Sequence, residues 1–218
     1  MARWVGLALP RQKALPSPDM AIVVGAPLPT ELTDALVTRV DGHRASLASL
    51  LQGPGPSLLV FVRQFACAAC GQRTAELLRH IETLHRTQTK VLLVGCGSLD
   101  HAREYSHRFD IASRPITLIT DPSLRAHAAA GLLHSYWGVL GPMGTAALLK
   151  AMLAGHRNAW GHGDFYQLGG TVLLDEAGHV RAHHAERYLG DALALTEVVD
   201  MTLAMSMVAA SASGVPLP

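Results

Sequence analysis

Cys67 and Cys70, separated by two alanines, are the residues of this 218-residue chain whose type and spacing speak most directly to chemistry. The apolar run Leu58-Leu59-Val60-Phe61-Val62 precedes them and reads as a strand buried on both faces. Leu77, Leu78, Ile81 and Leu84 follow at helical spacing, so the CxxC falls where a strand gives way to a helix. A cysteine at a helix N-terminus meets unpaired backbone N–H groups and the positive end of the helix dipole. Both favour the thiolate and lower the thiol pKa below its free value of about 8.5. The expected roles follow from position. Cys67, taken as the exposed member, attacks a peroxide or a disulfide, and Cys70, one turn inside, resolves the intermediate. Arg63, four residues upstream, is the nearest candidate cation. Two other readings stay open: an inert buried pair, and half of a zinc site completed by Cys96 or a histidine.

The surrounding pattern supplies the elements that must position this pair. Val37–Val40 reads as a short strand before an Asp41-Gly42 turn, and 46–51 as a brief helical or extended segment. Val91–Val94 and Ile116–Ile119 read as buried strands, with a helix over Leu99–Phe109 between them. Ser123–Ala130 is a short helix, Thr171–Leu174 a fourth core strand, and a further strand runs through Val180. Gly190-Asp191 is expected to cap a final helix from about Ala192 to Met207. Strands alternating with helices predict an α/β sheet covered on both faces. Residues 1–20, with three prolines, read as an extension; 21–210 as one domain with an irregular insertion at about 131–168; and 211–218 as a tail.

Composition narrows the class. The net charge of +1 and the 5% aromatic content give no electrostatic or stacking surface for nucleic acid. The apolar stretch from Ala192 to Ala210 carries Glu197 and Asp200, which favours a packed helix over a membrane span. Three cysteines, two of them in one CxxC, fit reduced thiols in a cytoplasmic protein better than a secreted disulfide scaffold. Cys96 ends the second core strand, at the sheet edge where α/β sites form, and also reads as a small buried hydrophobe.

Candidate substrate contacts lie further along. Gly169-Gly170 enters the fourth strand and gives room for close approach of a substrate. His162 lies close to it in sequence and is a candidate proton shuttle, or simply a surface-loop histidine. Phe65 adjoins the CxxC. Trp137, Trp160 and Phe165 either line an apolar pocket over the thiols or anchor the insertion to the core. His183 and His184 point to opposite faces of a strand, which disfavours a shared metal and leaves His184 to a structural hydrogen bond. Met201, Leu203, Met205 and Met207 read as core or as a contact with a second copy of the chain.

The run from Leu58 through Arg63, Gln64 and Phe65 to Cys67 and Cys70 resembles the peroxiredoxin-like 2 group of the alkyl hydroperoxide reductase/thiol-specific antioxidant (AhpC/TSA) superfamily. Thr120-Asp121-Pro122, Gln167-Leu168-Gly169-Gly170-Thr171 and the H-x-E-x-x-x-G-D segment from His184 to Asp191 resemble further segments of that group, in the right order. The resemblance implies a thioredoxin-like, peroxiredoxin-type α/β fold with a central mixed sheet flanked by helices. It implies an antioxidant-type thiol oxidoreductase, similar to prostamide/prostaglandin F synthase-like members. Such an enzyme reduces a peroxide, endoperoxide or disulfide through a redox-active disulfide, needs no bound cofactor, and is regenerated by thioredoxin or a low-molecular-weight thiol. Cys67 and Cys70 take the redox pair's place and Arg63 the nearby cation's. The chain departs from ordinary peroxiredoxins at Val60 and Gln64, where those enzymes carry Pro and Thr/Ser. Ala192 stands where relatives often have a histidine. A metal-binding or redox-sensing protein, and a thioredoxin fold repurposed for non-redox biosynthetic chemistry, are the alternatives.

Overall fold

In the computed structural model, which describes residues 21–158, 161 and 163–213, the chain forms one seven-stranded mixed sheet. The strands are β1 (Leu36–Arg39), β2 (Arg44–Ser46), β3 (Ser57–Phe61), β4 (Lys90–Gly95), β5 (Ile116–Thr120), β6 (Gly170–Leu174) and β7 (Val180–Ala185), in the spatial order β2-β1-β5-β4-β3-β6-β7. β3, β4 and β5 run parallel, and every other pairing is antiparallel. The parallel centre needs crossover helices, and the sequence supplies them: α3 (Ala68–Arg86) follows β3 and α4 (Leu99–Phe109) follows β4. α1 (Thr30–Thr33), α2 (Leu47–Leu51), α5 (Arg125–Ala129), α6 (Tyr136–Leu140), α7 (Pro142–Leu153) and α8 (Leu195–Ser213) complete the fold.

Strand alternation divides the core in two. Leu58, Val60, Val91, Leu93 and Leu118 face Leu77, Ile81 and Leu84 of α3, Tyr105 of α4 and Val198 of α8. Leu59, Phe61, Leu92, Val94 and Ile119 face Leu32 of α1, Leu47 of α2 and Ala126 and Ala129 of α5. With apolar neighbours on both sides, β3 after Ser57 and β4 after Lys90 read as continuous hydrophobic runs, and all five residues of β3 are buried.

Two expectations change. The 131–168 stretch is more regular than its composition suggests, because Ser135 caps α6 by accepting from Gly138 N and Pro142 opens α7 at a position that needs no donor. Asp191 does not cap the last helix, which begins at Leu195. Its carboxylate is held instead by Arg187 Nε at 2.8 Å, and its carbonyl accepts from His184 Nε2 at 2.5 Å. The N-terminal extension at 1–20 and most of the proposed C-terminal tail lie outside the described residues, as do Trp160 and His162. Among the described residues no helix is long and apolar enough to cross a membrane.

Candidate functional site

Cys67 occupies the N-cap of α3, a 19-residue helix with no acidic residue in its first turn, and Cys70 lies within that turn. Serine, threonine, aspartate and asparagine favour an N-cap because their oxygens accept from the helix's free amides. Cys67 makes no such bond. The amide of Ala68 donates instead to Asn158 Oδ1 at 3.2 Å, from the segment after α7. The N-cap is thereby left to a sulfur in a position where a negative charge is stabilised. Both thiols are free.

Cys67 is not the exposed member that the sequence suggested. It is 0% exposed and Cys70 is 5% exposed. The cover comes from segments distant in sequence. Asn158 sits at the helix start, and the 163–165 segment packs onto Cys96 and Arg63: Asp164 N donates to Cys96 Sγ at 3.2 Å, and Arg63 Nη1 donates to the Phe165 carbonyl at 2.5 Å. Gly163 permits this approach. It has a φ of +139°, and a Cβ there would fall 2.8 Å from Cys96 Sγ.

The two thiols are driven apart electrostatically. Cys67 is lowered to about 5, chiefly by the hydrogen bond from the Cys70 side chain; burial opposes this, and the Arg63 charge assists. Cys70 is pushed well above the usual thiol range, first by burial and then by the same bond to Cys67. One sulfur is therefore an anion at neutral pH and its neighbour a thiol. Arg63 is 1% exposed and its cation lies 4.8 Å above the Phe165 ring. Its Nε and Nη2 are buried without a hydrogen-bond partner among the described residues. Burial works against this cation, but the thiolate outweighs it, so Arg63 holds its proton more tightly than usual. Two donors beside a thiolate, unpaired among the described residues, have the chemistry to meet an oxygen atom.

Cys96 has a different character. Its S–H donates to the Arg63 carbonyl at 2.6 Å while its sulfur accepts from Asp164, and burial raises it to about 12. It fastens the strand edge to the covering segment. No group of three His, Cys, Asp or Glu side chains among the described residues is arranged to hold a metal ion.

The structure brings Cys67, Cys70 and Arg63 together, with Phe165 against the arginine, and gives Phe65, Trp137, Gly169 and Gly170 other surroundings. Phe65 is buried below the site, 5.1 Å from the Tyr105 ring, and its carbonyl accepts from Arg108. Trp137 is 68% exposed on α6 and stacks edge-on with Tyr136. Phe165 covers the Arg63 guanidinium. A cavity of about 30 Å³ adjoins Cys70, lined also by Arg63, Arg73 and Glu186 but by neither Trp137 nor Phe65. Gly169 does not open a space for substrate as expected. Its missing side chain makes room for Glu186, since a Cβ there would lie 2.5 Å from the Phe61 carbonyl and 3.1 Å from Glu186 Oε1. Gly170 lies in β6, paired with Phe61 and Ala185.

Sequence reasoning passed over Glu186, Arg73 and Asn158. Glu186 is the acidic position of the H-x-E-x-x-x-G-D segment, and Arg73 follows Cys70 by three residues, on the same helix face. Those two carried a signal; Asn158 carried none.

The family profile described as AhpC/TSA antioxidant enzyme matches residues 76–188, just over half of the chain, beginning six residues after Cys70. A search of the curated proteins finds no match. Among solved structures, the chain is similar to a bacterioferritin comigratory protein of Xanthomonas campestris, at a TM-score of 0.60 and 12% identity over 84% of this chain and 99% of that one. It is similar to peroxidoxin BcpB of Mycobacterium tuberculosis, at 0.57 and 12% over 86% and 98%. It is also similar to a peroxiredoxin-like protein of Aquifex aeolicus, at 0.61 and 14% over 88% and 91%. At these identities the likeness is one of fold.

Proposed function

The chain belongs to the AhpC/TSA antioxidant enzyme family, and from that premise we propose that it reduces a peroxide at Cys67 and closes a Cys67–Cys70 disulfide. Membership makes it a peroxiredoxin-like oxidoreductase; the residues and the steps are our reading. The observation that carries it is a buried sulfur at the start of α3, held as a thiolate by its neighbour's thiol and by the charge of Arg63, whose Nε and Nη2 have no hydrogen-bond partner among the described residues.

The chemistry runs in two steps. The Cys67 thiolate attacks the terminal oxygen of a hydroperoxide, the O–O bond breaks, and a proton completes the alcohol or water that leaves, so Cys67 becomes a sulfenic acid. Arg63 Nε and Nη2 orient the peroxide and stabilise the charge on the departing oxygen, the task that Thr or Ser performs in ordinary peroxiredoxins and that Gln64 does not inherit. Cys70 then attacks the sulfenic sulfur, the S–O bond breaks, and the Cys70 proton leaves with the hydroxyl as water. Thioredoxin or a low-molecular-weight thiol restores the pair, and no prosthetic group takes part in either step.

The test is intact-mass analysis of the full chain after one equivalent of an organic hydroperoxide. The reading expects loss of two hydrogens in the native protein, a trapped sulfenic acid in Cys70→Ser, and no oxidation at this site in Cys67→Ser. Consumption of peroxide at the native rate by Cys67→Ser overturns it.

A further inference from the structure

Glu186 has no part in the steps above, yet it is the carboxyl group built into the same site. It follows β7 directly, is 9% exposed, and accepts from Gly169 N at 3.3 Å in the space the glycine leaves. It shares the cavity of about 30 Å³ with Cys70, Arg63 and Arg73. A volume of that order accommodates a single water molecule, and the lining is polar enough to hold one.

The charged and titratable groups facing the carboxyl are Arg73 and Cys70 from α3, Cys67 at its N-cap, Arg63 from the segment after β3, and Asp191 beyond β7. Arg73 divides its donors between Glu76 Oε2 at 3.1 Å and Thr171 Oγ1 at 3.3 Å, and so does not pair directly with Glu186. Burial, reinforced by the nearby Cys67 and Asp191 charges and opposed by Gly169 N–H and Arg73, raises Glu186 to about 8. Its proton is present at neutral pH, next to a thiol that binds a proton more tightly still.

We propose that Glu186, acting through a water in the shared cavity, donates the proton that Cys70 needs when an external thiol opens the Cys67–Cys70 disulfide. This rests on the disulfide proposed above. The reductant thiolate attacks Cys67 sulfur, the S–S bond breaks, and the electron pair goes to Cys70. A bare thiolate at Cys70 is a poor leaving group, because its site favours the protonated form. Transfer from the Glu186 carboxyl gives Cys70–SH and a carboxylate. A second thiol then attacks the mixed disulfide, releasing the oxidised reductant and the Cys67 thiolate. Of the two protons the reductant brings, one restores Glu186 and one enters solvent.

The experiment follows single-turnover reduction of the oxidised full chain by dithiothreitol, with rates expressed per reductant thiolate between about pH 6 and pH 9. The native protein should slow through an inflection above the usual carboxylate range but below about 8, because burial still raises Glu186 while the oxidised chain lacks the Cys67 charge that reinforces it. Glu186→Gln, which keeps an acceptor for Gly169 N–H, should lack the inflection and run on the order of 100-fold slower below it. A native profile without that inflection overturns the proposal even if the variant does not fold. So does a Glu186→Gln profile matching the native one. Intact mass of the oxidised native protein separates the two readings: if no disulfide forms, both fall; if it forms and opens independently of Glu186, only this one falls.

Discussion

Replacing Cys70 with alanine removes the largest single influence on Cys67, the hydrogen bond from the Cys70 thiol. A hydrogen bond to a charged group contributes roughly 1.5–3 kcal/mol. At about 1.36 kcal/mol for each pH unit, that is a shift of roughly one to two units. The native thiol titrates at about 5, so Cys70→Ala should titrate at about 6 to 7. Cys70→Ser keeps a hydroxyl donor of similar size and should stay close to the native value. The assay is the rate of iodoacetamide alkylation against pH. Cys96, raised to about 12, and Cys70, also well above the usual range, do not react in this window. Burial of Cys67 slows all three proteins alike and leaves the midpoints comparable. A midpoint in Cys70→Ala unchanged from the native protein, or one in Cys70→Ser as high as in Cys70→Ala, refutes the account of how this thiolate is stabilised.

Two further outcomes follow from the same geometry. Gly169→Ala forces a Cβ to within 2.5 Å of the Phe61 carbonyl; because backbone must move, it should cost about 1–3 kcal/mol, read as a melting temperature lower by about 2–4 °C per kcal/mol, and an unchanged melting temperature contradicts the packing described. Glu186 titrates at about 8 when folded and about 4.3 when unfolded. The folded state thus binds its proton more tightly, and this group's contribution to stability is lost as pH rises through about 8. Thermal melts of Glu186→Gln and the native protein should therefore shift in favour of the variant between about pH 5 and pH 9, and a constant difference speaks against a protonated, buried Glu186.

Much of the framework is local and therefore legible in the sequence. Leu58–Val62 and Val91–Val94 announce strands buried on both faces, and Leu77, Ile81 and Leu84 announce the helix between them. Together they fix the CxxC at a helix start, and Arg63 lies four residues before Cys67. Such signals survive because periodicity and spacing depend only on neighbours along the chain. Thr171–Leu174 was equally clear as a strand, but its antiparallel place beside β3 depends on which edge accepts it.

What covers the thiols belongs to the tertiary structure alone. Asn158 and the 163–165 segment reach the α3 N-terminus from about 90 to 100 residues away along the chain, and no pattern near Cys67 foretells them. The same holds for Gly169 and Glu186. The sequence shows a glycine at the entry to one strand and an acid at the exit of another; only the β6–β7 pairing shows that the first makes space for the second. Proton affinity depends on burial and on neighbours across the fold. The residue types therefore point to a thiol pair as the reactive centre we propose, and folding decided which groups hold the proton around it.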